Sequence, residues 1–203
     1  MANTQPYEVI AAPYTLYIAA VGTSFPAIDA APGGSWTLVG TSGNLNYDDA
    51  AGVTVQHQQS ITKWRALGDS GSRKVFRTEE DLMIRLKLMD VTLEQYKLAL
   101  NSNAVSTVAA GSGTAGYKKL GLSRGFTVAT MALLIRGNVS PYGAAWNSQY
   151  EIPIAAQTGN PTVVYKKSEP VGLDLEWTAL VDATASSDVE RFGRLISQHA
   201  DAL

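Results

Sequence analysis

The sequence predicts a mostly β protein with minor α content, and three observations carry that expectation. Apolar and polar residues alternate strictly at Leu82, Ile84, Leu86, Leu88 and again at Leu173, Leu175, Trp177, Ala179, the period of a strand with one wet face. The chain contains 18 glycines beside abundant Ser, Thr and Ala, a composition that favours turns and strands over helices. Only two short segments carry a helix-start signature.

Taken in order, Tyr7 to Val21 is rich in β-branched and aromatic residues but interrupted by Pro13, so an extended arm or edge strand is expected. A loop through Pro32 and Gly33 follows, then a short strand at Trp36 to Val39. Gly52 to Gln59 alternates Val53, Val55 and His57 against Thr54 and Gln56, again a strand. Ser60 to Thr78 has no sustained period and carries five basic residues, two aromatics and a Gly68-Asp69-Ser70-Gly71 centre; it reads as a long projecting loop, of a length that usually serves function.

After the strand ending at Leu88, Thr92 and Gln95 have the spacing of a capping box, opening a flanking helix through Leu93, Tyr96 and Leu100 to about Asn103. Small residues from Ala104 to Gly116 form a flexible connection by composition. The apolar run from Gly125 to Gly137 is a central, doubly buried strand. Further strands are expected at Gln149 to Ala156 and Thr162 to Lys167, separated by a Thr-Gly-Asn-Pro turn. The strand from Leu173 presents Asp174 and Glu176 on an acidic polar face. Ser187 and Glu190 repeat the capping-box spacing, and Val189, Phe192 and Ile196 mark a C-terminal helix. About eight strands and two helices, in one domain over residues 1–203, point to a β-sandwich or barrel with a helix across one side.

Composition excludes several functions. Charged residues make up only 17% of the chain, 16 basic against 18 acidic, so no electrostatic footprint for tight nucleic-acid binding exists, while a low-charge surface suits burial against other subunits. The absence of Cys removes thiolate chemistry and disulfides. The N-terminus lacks the basic stretch and apolar run of a secretory signal, and no window has the length of a membrane span; a protein folded in the cytoplasm, without membrane anchoring, is expected.

No catalytic, cofactor or metal constellation is apparent, so an enzyme is not expected. His57 and His199 belong to no spaced metal motif. Gly68 to Gly71 spells the nucleophile turn of trypsin-like proteases, but Ser72 replaces the second consecutive Gly and His57 lies only a few residues upstream, so it reads as a loop tip. Gly111 to Gly116 lacks the Lys of a phosphate-binding loop, and Asn138-Val139-Ser140 is a glycosylation triplet by chance. Asp174 and Glu176 share one strand face, which alternation alone explains. Of the four tryptophans, Trp36, Trp64, Trp146 and Trp177, only Trp64 reads as available to a partner.

The order of features resembles the major tail-tube protein of long-tailed bacteriophages and related gene transfer agents. The resemblance rests on Trp36 to Val55, on the stretch from Lys74 to Asn101 after the long loop, and on Leu173 to Thr184 followed by Glu190 to Gln198. It implies a β-sandwich or barrel with a flanking helix, six copies closing into a ring, and rings stacked into a hollow tube through which DNA passes without specific binding. Partners would be copies of the chain and other tail proteins at the tube ends; the protein would be made in the host bacterial cytoplasm and reside in the particle tail. Two expectations join residues to that reading. Trp64, Arg65, Arg73, Lys74, Phe76 and Arg77, of residue types favoured at interfaces, are candidates for the contact between rings, and Asp174 and Glu176 are candidates for the lumen wall. The alternatives are a tube protein of a contractile injection or secretion system, and a monomeric β-sandwich carbohydrate-binding module.

Overall fold

The computed structural model describes residues 8–143 and 145–199. Tyr7, where the predicted N-terminal arm begins, lies outside them. The architecture is mostly β, as the alternation requires. The strands are β1 (Thr15–Ala19), β2 (Thr37–Leu38), β3 (Val53–Trp64), β4 (Lys74–Leu88), β5 (Val105–Val108), β6 (Tyr117–Leu120), β7 (Thr130–Gly137), β8 (Ser148–Gln157), β9 (Leu173–Ala179) and β10 (Arg194–Ser197), with one short helix, α1 (Leu93–Tyr96). Eight strands form one antiparallel sheet in the order β2-β1-β7-β8-β9-β4-β3, with β10 also paired to β8; β5 and β6 form a separate hairpin.

The patterned strands sit where their periodicity demands. Ile84, Leu86 and Leu88 of β4 lie directly opposite Trp177, Leu175 and Leu173 of β9, and all six are buried in one cluster with Leu16, Met131, Leu133, Ile135 and Ile152. The opposite face of β7 is buried too: Ala132 and Leu134 pack with Ala19 and Trp36, whose indole donates to Ser24 O at 3.0 Å and lies against Phe25. An uninterrupted apolar run is the sequence of a strand covered on both faces. Within the cluster, the indole N–H of Trp177 has no hydrogen-bond partner among the described residues.

Tyr47 draws the two ends of the strand order together. Its backbone bridges Leu88 of β4, while its hydroxyl accepts from Leu16 N of β1 at 3.2 Å and donates to Val39 O at 2.8 Å. Burial pushes the phenol up to about 12, against the partial offset of the Leu16 backbone bond. The sheet thereby curls around its apolar face. Edge sharing helps the curl: one edge of β8 pairs with β10 at Ser148 to Glu151 and with β9 at Ala155 to Gln157. Pro153 falls between those ladders, at the irregularity in the β7–β8 register, where a residue without an N–H costs no ladder bond.

Several sequence expectations are corrected. The segment after Pro13 is not an edge strand: β1 lies between β7 and the two-residue β2. The flanking helix is one turn, continued by a 3-10 turn at Lys97–Ala99 that buries Leu98 and Ala99. Its start is not a capping box, since Thr92 makes no side-chain cap and Gln95 Oε1 instead accepts Gly40 N at 3.0 Å. Asp90 serves the turn, accepting Thr92 N at 3.0 Å and Thr41 N at 2.8 Å. The Ala104 to Gly116 connection is largely the β5–β6 hairpin. Thr162 to Lys167, bracketed by Pro161 and Pro170, is not a strand; Val163 forms an isolated bridge with Leu173 and packs against the core. The C-terminal helix is absent; a 3-10 turn at Asp188–Glu190 leads into β10. Gly193 permits that outcome, because its φ is +117° and a Cβ there would overlap the carbonyl oxygen of Glu151, so only glycine lets the chain lie this close to β8.

Candidate self-association surface

The predicted projecting loop is a projecting hairpin. β3 and β4 stay paired out to Trp64 opposite Lys74, with a register shift between Ser60 and Ile61, so only residues 65–73 form the turn. The shift places one extra residue, Thr78, in β4, and its hydroxyl donates to Ser60 O at 3.1 Å. Sequence reasoning missed the pairing because both faces are wet. β9 pairs with β4 only from Met83 to Leu88, and beyond that point β4 has β3 as its sole neighbour.

The turn is internally braced. Arg73 N donates to Trp64 O at 2.9 Å. Asp69 accepts Gly71 N at 2.9 Å through Oδ1 and pairs with Arg73 through Oδ2 at 3.0 Å, and these contacts hold its carboxyl below the usual range. Arg65 Nε donates to Ser72 Oγ at 3.2 Å. Gly68 to Gly71 is therefore a loop tip organised by Asp69.

All six interface candidates lie on this hairpin. Trp64 and Phe76 are 52% and 46% exposed, and Leu67 at the tip is fully exposed. Ile61 and Val75 are exposed on the opposite face of the ribbon. Register puts Trp64 opposite Lys74 and Thr62 opposite Phe76, and the Lys74 ammonium sits 5.1 Å from the Phe76 ring centroid, a cation–π contact. Arg77 Nε donates to Gln59 Oε1 at 3.0 Å and its guanidinium lies 3.5 Å from Glu80. Five cations against Asp69 give residues 60–78 a net charge of +4. A two-stranded ribbon of apolar and cationic side chains, bare on both faces, lacks the cover that stabilises a hairpin on its own.

Asp174 and Glu176 do share the outer face of β9, but that face is not acidic. β4 supplies their direct cross-strand partners, Lys87 opposite Asp174 and Arg85 opposite Glu176. Arg85 Nε meets Glu176 Oε2 at 2.5 Å, and Lys87 reaches Asp48 at 3.5 Å. The mixed-charge strand and the acidic strand are thus one surface, with a depression of about 520 Å³ between Gly52, Asn160 and these four charged groups.

A second exposed apolar group was not legible in the sequence. Leu122, Phe126 and Val128 project from a strap at 121–129, whereas the Gly125 to Gly137 run had been expected to enter the sheet whole. Asn101, in the left-handed region at φ 60°, donates to Arg124 O at 3.1 Å and Thr127 O at 2.7 Å, and its Oδ1 accepts Ala129 N. Asn103 donates to Gly121 O and Ser123 O, each at 2.7 Å. The one hint was two asparagines, two positions apart, at the end of a helix. Trp146 is exposed as well as Trp64, so Trp64 is not alone among the tryptophans in being available to a partner.

His57 is exposed on β3. Among the described residues no group of three or more His, Asp or Glu side chains is placed to hold a metal ion, and no helix is long and apolar enough to cross a membrane. No protein-family model matches the chain, and no curated protein matches its sequence.

Proposed function

We propose that this chain is a structural, non-catalytic subunit that assembles with copies of itself into hexameric rings stacked as a tube of the phage-tail type, a conduit for DNA into a host cell. The observation that carries the proposal is the β3–β4 hairpin, which leaves the sheet and exposes Ile61, Trp64, Leu67, Val75 and Phe76. Isolated exposed apolar residues are ordinary; several on one projection, Trp64 with Phe76 on one face and Ile61 with Val75 on the other, mark an interaction surface. An interface between an arm and an unlike patch on a neighbour is heterologous, the type that closes into rings or propagates as filaments.

In this reading Trp64, Arg65, Arg73, Lys74, Phe76 and Arg77 form the contact between rings, and other tail proteins cap the tube ends. The outer face of β4 and β9 is the candidate bore wall, with Asp174 and Glu176 in its lining. Charge pairing with Lys87 and Arg85 keeps such a wall near neutral, and a neutral wall offers a passing duplex no counterion-release affinity. The protein is made in the host bacterial cytoplasm and ends in the particle tail.

The decisive experiment is sedimentation and electron microscopy of the purified protein beside a variant lacking Lys63 to Lys74. The parent forms stacked rings; the deletion gives a folded subunit that does not polymerise. Tubes formed normally by the deletion variant, or a parent that stays monomeric at high concentration, overturn the proposal.

A further inference from the structure

The hairpin needs a receptor, and one surface of the same molecule complements it in shape and charge. Two adjoining depressions, about 230 and 150 Å³, share Phe25, Pro153 and Asp182 and form a groove beside the 180–194 segment. Val21 of its lining is exposed, and so are Leu180, Val181 and Val189, near lining residues Asp182 and Glu190 in the chain, Val189 to 90%. Its charge is negative. Arg194 is paired to the buried Glu151 at 2.7 Å and Arg191 to Glu80 at 3.2 Å, so both local cations are engaged. Asp182, Asp188 and Glu190 take part in no ion pair among the described residues. The hairpin is the converse, with Lys63, Arg65 and Lys74 likewise in no ion pair among the described residues and apolar Trp64 and Leu67 beside them.

Resting on the self-assembly reading above, we infer that this groove receives the hairpin tip of a second copy of the chain, Leu67 and Trp64 entering between Phe25, Pro153 and Val189 while Arg65 and Lys74 face Asp182, Asp188 and Glu190. A chain cannot satisfy its own groove. The Arg191–Glu80 contact fixes the 180–194 segment at the root of the hairpin, and at about 3.3 Å per residue the run from Lys74 to Glu80 alone sets the tip roughly 20 Å away. Donor and acceptor therefore sit at opposite ends of one projection. Tip-to-root docking is unlike-to-unlike, leaves a free tip and a free groove after every addition, and repeats without limit. Opposite charge aligns the pair and speeds encounter, while the apolar contacts hold it.

The chain has no Cys, so introduced thiols report the contact without background. Leu67→Cys and Val189→Cys are combined in one chain, oxidised with diamide and run on a non-reducing gel, beside each single variant and a control pairing Leu67→Cys with Leu122→Cys on the strap. The inference expects a covalent ladder beyond dimers from the first pair, a heterodimer when the two single variants are mixed, and neither from the control. In parallel, Asp188→Lys with Glu190→Lys raises the protein concentration needed for assembly about tenfold or more, and assembly returns on mixing with Arg65→Glu, Lys74→Glu protein. Thermal unfolding confirms that each variant is folded. If parent protein forms rings or tubes but the ladder is absent, or Leu67→Cys alone crosslinks tip to tip, the docking inference is overturned and the tube reading stands. If the parent never assembles, the tube reading falls first.

Discussion

Strand β4 contains two environments in one continuous ladder. From Met83 to Leu86 it lies between β3 and β9, and from Leu82 to Leu88 every second side chain is buried; from Lys74 to Glu79 it has β3 alone and every side chain is exposed. The boundary falls close to the register shift at Ser60 and Ile61, where an extra residue bends and twists a ribbon away from its sheet. Backbone ordering costs about 1–2 kcal/mol per residue wherever it occurs. The proximal half offsets that cost by burying apolar area, and the distal half does not within one chain. The contrast teaches that subunit stability resides in the proximal length of these strands, while the proposed assembly draws on the distal length, and four substitutions test how cleanly the two separate.

The largest effect is expected at the proximal end. Ile84 is fully buried opposite Trp177, so Ile84→Ala costs about 2–5 kcal/mol, the lost transfer energy plus the cavity left behind. Trp64→Ala, at the distal end, changes subunit stability by no more than about 0.5 kcal/mol, as exposed substitutions do, but abolishes polymerisation. Urea unfolding of both variants, paired with sedimentation, makes the comparison. A Trp64→Ala subunit as unstable as Ile84→Ala would break the separation.

The alternating strands were readable because one wet and one dry face leave a period of two in the sequence. Leu82 to Leu88 and Leu173 to Ala179 follow it, and the Met131 to Ile135 run reports burial on both sides. A strand wet on both faces leaves no such record, so Ile61 to Trp64 and Lys74 to Thr78 looked like loop. Their residue types still pointed to an interface. The acidic reading of Asp174 and Glu176 failed for a related reason: a strand's polar face takes its charge from its neighbours, and Arg85 and Lys87 lie some ninety positions earlier in the chain. At the C-terminus, Ser187 with Glu190 and the spacing of Val189, Phe192 and Ile196 imitate a helix. Close approach of Gly193 to Glu151 overrides them, a tertiary constraint that local spacing does not encode.

Tyr47 provides an intermediate effect, at the seam that closes the proximal half. Tyr47→Phe leaves Leu16 N and Val39 O without their shared partner and costs about 1–3 kcal/mol. The same group sets a pH dependence. Its folded value of about 12 lies above the ordinary 10, so its contribution is fully present below pH 10 and is lost as pH rises from 10 towards 12. Other groups titrate there, and the difference between parent and Tyr47→Phe isolates this one. Urea midpoints measured from pH 8 to 11.5 should converge at the alkaline end. A constant gap would mean that the hydroxyl is not what closes the seam.

The smallest effect belongs to the outer face of β4 and β9. The Arg85–Glu176 contact is short, but its side chains are 45% and 28% exposed, and exposed pairs contribute about 0–1 kcal/mol because water and salt already screen the charges. Glu176→Gln is therefore expected to leave unfolding within about 1 kcal/mol of the parent and polymerisation unchanged, since it touches neither hairpin nor groove. What it changes is the local balance, freeing Arg85 from its partner on a face that is otherwise close to neutral. If that face lines the bore, assembled Glu176→Gln tubes should retain short duplex DNA at low salt and release it as salt is raised, while parent tubes retain none. Equal retention by both would remove Glu176 from the bore without affecting the distinction between the two halves of β4, because that distinction rests on burial and this one on charge.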